Sequence, residues 1–358
     1  RQMCIRDSRY VIPPLVEFTD SLLIGLGADL DVVTCKFTDQ MSGRMLGVRA
    51  DITPQTARMD AHSLAEEGVP RLCYAGSTLQ STPQSVISGR APIQLGAELF
   101  GSSAIEADSE IIGLMLSTFQ CAGVSRPLTL DIGHIVIYDA LFSDAGLDPE
   151  LEDQIFDALQ RKSAPDIERL SASLPAREAE RLAQLVALHG SPDVLASARA
   201  AFPDELAVMA ALDQLDTVLA WVQQAFPDVG VYVDLTELRG FRYHTGLVFA
   251  VYLEGRGSAL AKGGRYDNVG AVFGRDRPAT GFAIDLKALV DDAERSEAAD
   301  VPVIAPQSDD AGLRAAVTAL RAAGRTVVMD VAPGVDLPDA ERLVLSEGEW
   351  VIDGSASS

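Results

Sequence analysis

The chain has 358 residues, of which 47% are hydrophobic and 23% charged, and its formal net charge is −23. This length is enough for two or three domains, and the charge argues against a sequence-independent grip on nucleic acid, which needs Lys and Arg at the phosphates. The four cysteines have no Cys-x-x-Cys spacing and no apolar run approaches the ~18 residues of a membrane span, so we expect a reduced, cytoplasmic protein without a metal site or a membrane partner.

The N-terminal part of the chain begins with RQMCIRDS, which has neither helical nor strand periodicity. We interpret these eight residues as translated adapter sequence outside the fold. A Pro-Pro step at 13–14 predicts an edge strand over 10–16. Residues 29–51 then predict two short strands around a turn at 41–44. Thr53 and Pro54 predict the start of a helix that runs to residue 64, with Thr53 as its N-cap.

The middle of the chain alternates strands and helices and then becomes helical. Strands are predicted over 70–79, 91–100 and 128–138, with a polar loop at 80–90 and a helix over 109–122. From 148 to about 226 the composition changes to Ala, Leu, Glu, Arg and Gln, with prolines at 165, 175, 192 and 203. This pattern predicts several short helices inserted into the sheet domain.

Strands return after the insertion, over 229–235, 246–252 and 281–284, with a helix over 285–293. A last unit follows, with a strand over 301–305, a helix over 312–323 and a strand over 326–331. The predicted class is α+β, an antiparallel sheet flanked by helices with a helical insertion and a small C-terminal α/β unit. The predicted divisions are a leader (1–8), the first half of the core (9–145), the insertion (146–228), the second half of the core (229–292) and the C-terminal domain (300–358).

Several familiar site types are missing from the sequence. It has no GxxxxGK[ST] loop, no GxGxxG after a strand and no GxSxG elbow. Its four histidines lack metal-ligand spacing. The stretch SDDAG at 308–312 has two acids but lacks the Thr/Gly loop of a phosphoribosyl-diphosphate site. We therefore interpret it as a helix N-cap whose acids are favoured by the helix dipole.

Polar residues do gather on separate predicted strands. These are Arg49 with Asp51, Gln94 with Glu98, Arg239 with Tyr243 and His244, and GGRYD at 263–267. A buried carboxylate needs a partner, so one interpretation is that Asp51 and Glu98 pair with arginines inside the core. The other is a pocket for a zwitterion, in which carboxylates hold an ammonium and an imidazole N–H and an arginine holds a carboxylate.

Six motifs, in this order, resemble the catalytic core of the histidyl-tRNA synthetase family over about residues 10–289. They are VRADITPQTARMDAH, RLCYAGSTL, IQLGAELFG, RGFRYHTGLVF, GGRYDNVGAVFG and ATGFAIDL. Within that superfamily, VRADITPQTARMDAH, LCYAGS and RPATGF are most similar to the synthetase-like regulatory subunits of ATP phosphoribosyltransferase. The resemblance implies the class II synthetase fold.

The resemblance also implies which residues bind histidine. Asp51 and Thr53 match an acid and a threonine that bind the amino end of the substrate. The implied set is Asp51, Thr53, Gln94, Glu98, Arg239, Tyr243, His244 and Tyr266. His244 stands where the synthetases have a second tyrosine, so one imidazole contact is altered.

The ATP-activating residues of the synthetases do not match. Gln80 replaces the arginine of motif 2, and Ala288 replaces the arginine of motif 3. Losing one such electrostatic contact costs about 3 kcal/mol in the transition state. Lys287 compensates only as a point charge. We therefore expect no catalytic residue, no cofactor and no tRNA partner.

The function implied by the resemblance is that of a non-catalytic regulatory subunit. It would act in the first step of histidine biosynthesis, with a short-form catalytic ATP phosphoribosyltransferase subunit as its partner and L-histidine as a ligand. The implied assembly is a hetero-octamer that contains dimers of this chain. Two alternatives remain at this point: a divergent histidyl-tRNA synthetase-like enzyme and a stand-alone histidine-binding sensor.

Overall fold

A computed structural model describes residues 8–23, 27–83, 89–238, 243–292, 301–331 and 340–353. The chain divides into two compact units, Arg1–Ala293 and Glu294–Ser358. In the described residues, no helix combines the length and the apolar character needed to cross a membrane. Ser8, the last residue of the interpreted leader, is buried, and its carbonyl accepts a hydrogen bond from Cys73 Sγ at 3.9 Å. Residues 1–7 of that leader lie outside the described residues.

The first unit is built on strands that form one large and one small sheet. In chain order they are β1 (Arg9–Tyr10), β2 (Val16–Phe18), β3 (Cys35–Thr38), β4 (Met45–Val48), β5 (Arg71–Ser77), β6 (Ile93–Phe100), β7 (Leu128–His134), β8 (His189–Gly190), β9 (Gly230–Asp234), β10 (Leu247–Leu253), β11 (Ala261–Arg265) and β12 (Ala279–Asp285). The large sheet has the order β1-β5-β6-β12-β11-β10-β7-β9-β8, and β2-β4-β3 form the small one. Only β1–β5 and β7–β9 pair in parallel in the large sheet, so it is mainly antiparallel, as predicted.

Helices cover the large sheet and supply most of its core. They are Thr19–Leu22, Gly27–Val33, Thr53–Arg58, Ile105–Cys121, Ile135–Phe142, Pro149–Gln160, Ala164–Ser171, Ala176–Leu185, Val194–Ala201, Leu206–Ala225 and Leu286–Asp292. The helix Leu206–Ala225 packs against Ile105–Cys121, where the Trp221 ring lies over Gly113. A Cβ at Gly113 would come within 2.6 Å of that ring, so only glycine allows this approach. The helical segment thus shares one apolar core with the sheet.

Three predicted elements differ from the structure. The predicted strand over 10–16 is wrong, because β1 ends at Tyr10 and β2 begins at Val16, on either side of the two prolines. The N-cap of the helix Thr53–Arg58 is Ile52, and the Thr53 hydroxyl contacts Tyr74 instead of capping the helix. A π-helix, Met59–Leu64, continues it. The predicted strand over 128–138 ends at His134, where a helix begins.

The second unit is a small sheet with one helix. Its elements are β13 (Val303–Ala305), the helix Ala311–Ala322, β14 (Val327–Met329), β15 (Glu341–Ser346) and β16 (Glu349–Asp353). The sheet order is β14-β13-β15-β16. Asp310 caps the helix by accepting a hydrogen bond from Leu313 N at 2.8 Å, which confirms the predicted cap. The strand β15 was not predicted from the sequence.

Candidate functional site

A cavity of about 410 Å³ opens on the first unit, between the segment that follows β4 and the strands β6, β11 and β12. That volume suits a small metabolite. Seven of the eight predicted histidine-binding residues line it: Asp51, Thr53, Gln94, Glu98, Tyr243, His244 and Tyr266. The eighth, Arg239, lies outside the described residues. The strand register explains the convergence, because β12 pairs with both β6 and β11 and thereby brings distant parts of the sequence to one face.

Asp51 is oriented by its neighbours at one end of the cavity. Its Oδ1 accepts hydrogen bonds from Thr53 N at 3.0 Å and from Gln94 Nε2 at 2.7 Å. The amide oxygen of Gln94 in turn accepts a hydrogen bond from Ile52 N at 2.8 Å. Gln94 thus uses both ends of its amide to fix the segment that carries Asp51. This leaves the carboxylate half-buried on the cavity wall, where it can attract an ammonium group.

Glu98 lies at the buried end of the cavity, with only 1% of its surface exposed. Tyr74 Oη donates a hydrogen bond to its Oε1 at 2.9 Å, and Tyr266 Oη donates to its Oε2. Burial raises the pKa of Glu98 to about 8, although hydrogen bonds from Tyr266, Thr53 and Tyr74 lower it. Asp51 adds a smaller upward contribution to this pKa.

A glycine makes room for this carboxylate. Gly281 on β12 pairs with Glu98 on β6, and a Cβ at Gly281 would overlap Glu98 Oε2. A bare backbone at this position allows the side chain to lie flat against the neighbouring strand. The glycine in ATGFAIDL is therefore part of the site, although no side chain marks it in the sequence.

Aromatic rings form another wall of the cavity. The rings of Tyr243 and Tyr266 stack with centroids 5.2 Å apart, and His244 meets Tyr243 edge-on at 5.2 Å. His244 lies over Gly264, where a Cβ would come within 2.6 Å of its ring. The buried Tyr243 hydroxyl has no hydrogen-bond partner among the described residues. A buried polar atom of this kind on a cavity wall is suited to a ligand.

Arg49 does not belong to the site, although it lies two residues from Asp51. β4 ends at Val48, so the strand alternation that predicted a shared face does not extend this far. The buried guanidinium of Arg49 donates to the carbonyls of Ser77 at 2.9 Å and Pro13 at 2.7 Å. Arg49 therefore holds the N-terminal segment against β5.

The alternative interpretation, that Asp51 and Glu98 pair with arginines inside the core, finds no support in the described part of the chain. Tyrosines bind Glu98, and an amide and a backbone N–H bind Asp51. Arg265, on the strand β11 beside the cavity, pairs instead with Asp108 at 2.6 Å. Asp51 and Glu98, two of the acids that line the cavity, thus have no described cationic partner, which favours a ligand with positively polarised N–H groups.

Gln80 and Ala288, which replace two arginines of the synthetases, lie in different parts of the first unit. Gln80 lines the cavity, and its side chain is buried. Ala288 is not among the lining residues, and it packs partly buried against the core. Lys287, which the sequence suggested as a partial substitute, donates from its ammonium to the carbonyl of Ala91. The positive charge of Lys287 therefore lies against a backbone carbonyl.

Sequence reasoning missed Tyr74, which is fully buried and contacts both Thr53 and Glu98. Its position in the buried strand pattern of β5 makes it resemble an ordinary core aromatic. A different group of carboxylates, Asp131, Asp234 and Glu237, lies away from the cavity. The Lys162 ammonium contacts Asp234 at 2.6 Å and supplies positive charge there, and we assign no metal to it.

Comparison with known families gives two matches along the chain. The family described as histidyl-tRNA synthetase matches residues 9–289. The family described as ATP phosphoribosyltransferase subunit HisZ C-terminal domain matches residues 301–353. The second match falls on the small C-terminal unit, and its description names a phosphoribosyltransferase subunit instead of a synthetase.

Individual proteins agree with these matches. The ATP phosphoribosyltransferase regulatory subunit of Marinobacter nauticus is 47% identical over 350 residues, which cover 96% of this chain and 88% of that protein. A crystal structure from Bacillus halodurans, described as an ATP phosphoribosyltransferase regulatory subunit/histidyl-tRNA synthetase, is 27% identical with a TM-score of 0.80, over 94% of this chain and 87% of that one. An ATP phosphoribosyl transferase complex from Thermotoga maritima has a chain that is 19% identical with a TM-score of 0.61, over 80% and 93%. The predicted synthetase-like fold is confirmed.

Proposed function

The chain belongs to the family of ATP phosphoribosyltransferase regulatory subunits, which serves histidine biosynthesis, and we propose that it activates a separate catalytic chain and binds histidine as the feedback signal. The observation that carries this proposal is the 47% identity to such a subunit over 96% of the chain. The partner we propose is a short-form catalytic ATP phosphoribosyltransferase subunit. Because its substrates are small metabolites, we expect the assembly in the cytoplasm.

The geometry of the cavity supports histidine as the ligand. Asp51 and Thr53 line the cavity where we propose that they bind the ammonium group, and the proposed partner of Glu98, at the buried end, is the imidazole N–H. The Tyr243 hydroxyl, which has no hydrogen-bond partner in the described part of the chain, adds a further polar group on the wall. Arg239 is the proposed partner of the histidine carboxylate. The pocket would thus recognise the whole amino acid by charge at one end and by a neutral ring donor at the other.

Feedback requires that histidine bind one state of the assembly more tightly than another. A pocket on a non-catalytic chain can supply this only through contacts between the chains. The proposed hetero-octamer, with four chains of each kind, would provide those contacts. In this scheme, catalysis resides in the partner chain.

Purified chain mixed with a short-form catalytic subunit provides the test of assembly. Size-exclusion chromatography with light scattering should show one peak that contains both chains, heavier than either protein alone. Separate elution at every mixing ratio would contradict the proposal and would favour a stand-alone histidine sensor.

The divergent-synthetase alternative predicts histidine-dependent exchange between ATP and pyrophosphate. Gln80 in the cavity wall, at the position of an arginine in the synthetases, weighs against that reaction. We expect no exchange above a control without histidine. Exchange that depends on histidine and is lost in Glu98→Gln would establish the synthetase function.

A further inference from the structure

A chain of three polar groups connects the two ends of the proposed histidine pocket. Tyr74 Oη lies 3.1 Å from Thr53 Oγ1 and 2.9 Å from Glu98 Oε1. Tyr74 is fully buried on β5, and Thr53 and Glu98 line the cavity. Burial raises the pKa of Tyr74 well above its usual value, so its phenol remains protonated at neutral pH.

The number of protons fixes the direction of this hydrogen-bond chain. A phenol has one O–H, and an ionised carboxylate can only accept. When Glu98 is ionised, Tyr74 must therefore donate to Glu98, and Thr53 must donate to Tyr74. The lone pairs of Thr53 Oγ1 then remain for a ligand N–H. A proton on Glu98 Oε1 reverses each bond, so that Thr53 Oγ1 keeps one lone pair for the cavity and its hydroxyl hydrogen also turns to the cavity.

We propose that Tyr74 is a positioning residue of this pocket, which relays the charge of Glu98 to the Thr53 hydroxyl and so sets whether the Thr53 hydrogen faces Tyr74 or the ligand. The proposal rests on the proposed histidine site. A ligand ammonium has only donors, so it binds more tightly when both lone pairs of Thr53 Oγ1 face the cavity than when one lone pair and the hydroxyl hydrogen do. Glu98, in the same state, accepts the ring N–H. Deprotonation of Glu98 thus makes acceptors available to the ligand at both Glu98 and Thr53.

The other groups around Glu98 bear on this titration. Tyr266 donates to Oε2, and its own pKa is raised by burial and by the charge of Glu98. Tyr243 stacks on Tyr266, and Asp51 acts on Glu98 as a second negative charge. His244 and Lys262 also line the cavity. Thr53 itself also lowers the pKa of Glu98 as a hydrogen-bond donor. Among the groups described around Glu98, Tyr74 is the one whose hydroxyl lies within hydrogen-bond distance of both Thr53 Oγ1 and Glu98 Oε1, so removing that hydroxyl interrupts the relay through Tyr74 and leaves the direct effect of Thr53 in place.

The test is isothermal titration of histidine into the full chain across a pH series from about 6.5 to 9, for the unaltered protein, Tyr74→Phe and Tyr138→Phe. Tyr138 is also a fully buried tyrosine, and it packs with Phe142 and Phe156 in another cluster, so its variant controls for the loss of a buried hydroxyl. Histidine's own titration is common to all three proteins, so differences between their pH profiles come from the protein.

We expect Tyr74→Phe to bind histidine about tenfold more weakly than the unaltered protein at pH 7. The midpoint of its binding profile against pH should rise by about one unit, because Glu98 loses a hydrogen-bond donor to its charged form.

A second readout works without ligand. Carbon-13 NMR of labelled glutamate carboxyls should show Glu98 titrating at higher pH in Tyr74→Phe than in Tyr138→Phe. Equal pH profiles and an equal Glu98 titration in the two variants would overturn the relay. If the unaltered chain binds no histidine, the proposed function fails instead, and the carboxyl titration alone decides the relay: a raised Glu98 midpoint in Tyr74→Phe supports it and an unchanged one overturns it.

Discussion

Residues that line the cavity can both stabilise the fold and bind a ligand, and the strand pattern of the sequence does not distinguish these two roles. Glu98 is held by two tyrosine hydroxyls and not by a cation, which keeps a buried acid satisfied while it remains available to a ligand. Its raised pKa has a consequence for the stability of the ligand-free chain. A group that prefers its protonated form in the folded state loses that advantage as pH rises from its unfolded pKa through its folded pKa.

Glu98→Gln should therefore make stability less dependent on pH. For the unaltered chain, Glu98 contributes a loss of stability as pH rises from about 4.5 to about 8. The amide does not titrate, so its variant should lack this part of the decline. Each pKa unit corresponds to about 1.4 kcal/mol, so we expect a difference of a few kcal/mol in the free energy of unfolding between the two ends of the window. Urea denaturation of both proteins at about pH 5 and pH 8 measures it, and parallel pH profiles would contradict the prediction.

Gly281→Ala should displace the Glu98 carboxylate, because the added methyl would overlap Oε2. We expect histidine affinity to fall at least about tenfold, as the ligand loses one charge-assisted hydrogen bond. Gly230→Ala is the matched control, since its Cβ would meet Thr129 Oγ1 at an ordinary 3.4 Å. Calorimetry on both variants makes the comparison, and equal loss of affinity in both would show that the Gly281 contact is unimportant.

At the scale of elements, a buried ion pair joins the strand that carries GGRYD to the helix Ile105–Cys121. Arg265 at the end of β11 contacts Asp108, and both side chains are almost completely buried. Arg265 also donates to the carbonyl of Ser102 at 3.0 Å. These contacts fix the backbone that leads into Tyr266, one of the two donors to Glu98.

Asp108→Asn should lower the free energy of unfolding by about 3 kcal/mol, because it removes the fully buried counterion of Arg265 and leaves only the partly exposed carboxylate of Asp267 at 3.1 Å. The matched control is Glu110→Gln on the same helix, which removes a half-exposed pair with Arg71. Such a pair is worth at most about 1 kcal/mol. Chemical denaturation of both variants gives the two values, and a similar cost for both would contradict the burial argument.

Sequence reasoning predicted elements well where periodicity was long and less well where the chain changes direction. The strand predicted over 91–100 is observed as Ile93–Phe100, and the helix predicted over 109–122 ends within one residue of the observed end at Cys121 but begins one turn earlier, at Ile105. The change from β7 to a helix after His134 was missed, because an apolar run such as IGHIVIY fits a strand or a buried helix equally well.

In the pocket, the candidate histidine-binding residues within the family motifs were predicted from the sequence, and the residues that support them were missed. Seven residues that the family motifs indicated do line one cavity. The supports were not predicted. Tyr74 resembles a core residue in β5, and the contribution of Gly281 depends on which strand lies beside it. Cross-strand register, on which both contacts depend, is a tertiary property that local patterns do not encode.

At the scale of the whole molecule, the described residues that line the pocket all belong to the first unit, and the second unit has its own apolar cluster of residues such as Val303 and Leu343. A chain that ends at Ala293 should therefore bind histidine with an affinity within about threefold of the full chain, since it keeps every described lining residue. Calorimetry on both forms tests this, with circular dichroism to confirm that the shorter form is folded. Loss of binding by a folded shorter form would show that the second unit contributes to the site.

Regulation itself can be measured directly by reconstitution. The chain is mixed with a short-form catalytic ATP phosphoribosyltransferase subunit, and phosphoribosyl-ATP formation is followed with and without histidine, alongside each protein alone. Our account predicts activity in the mixture well above that of the catalytic chain alone, and a fall in that activity as histidine is added. A mixture no more active than the catalytic chain by itself, or one that histidine leaves unchanged, would contradict it.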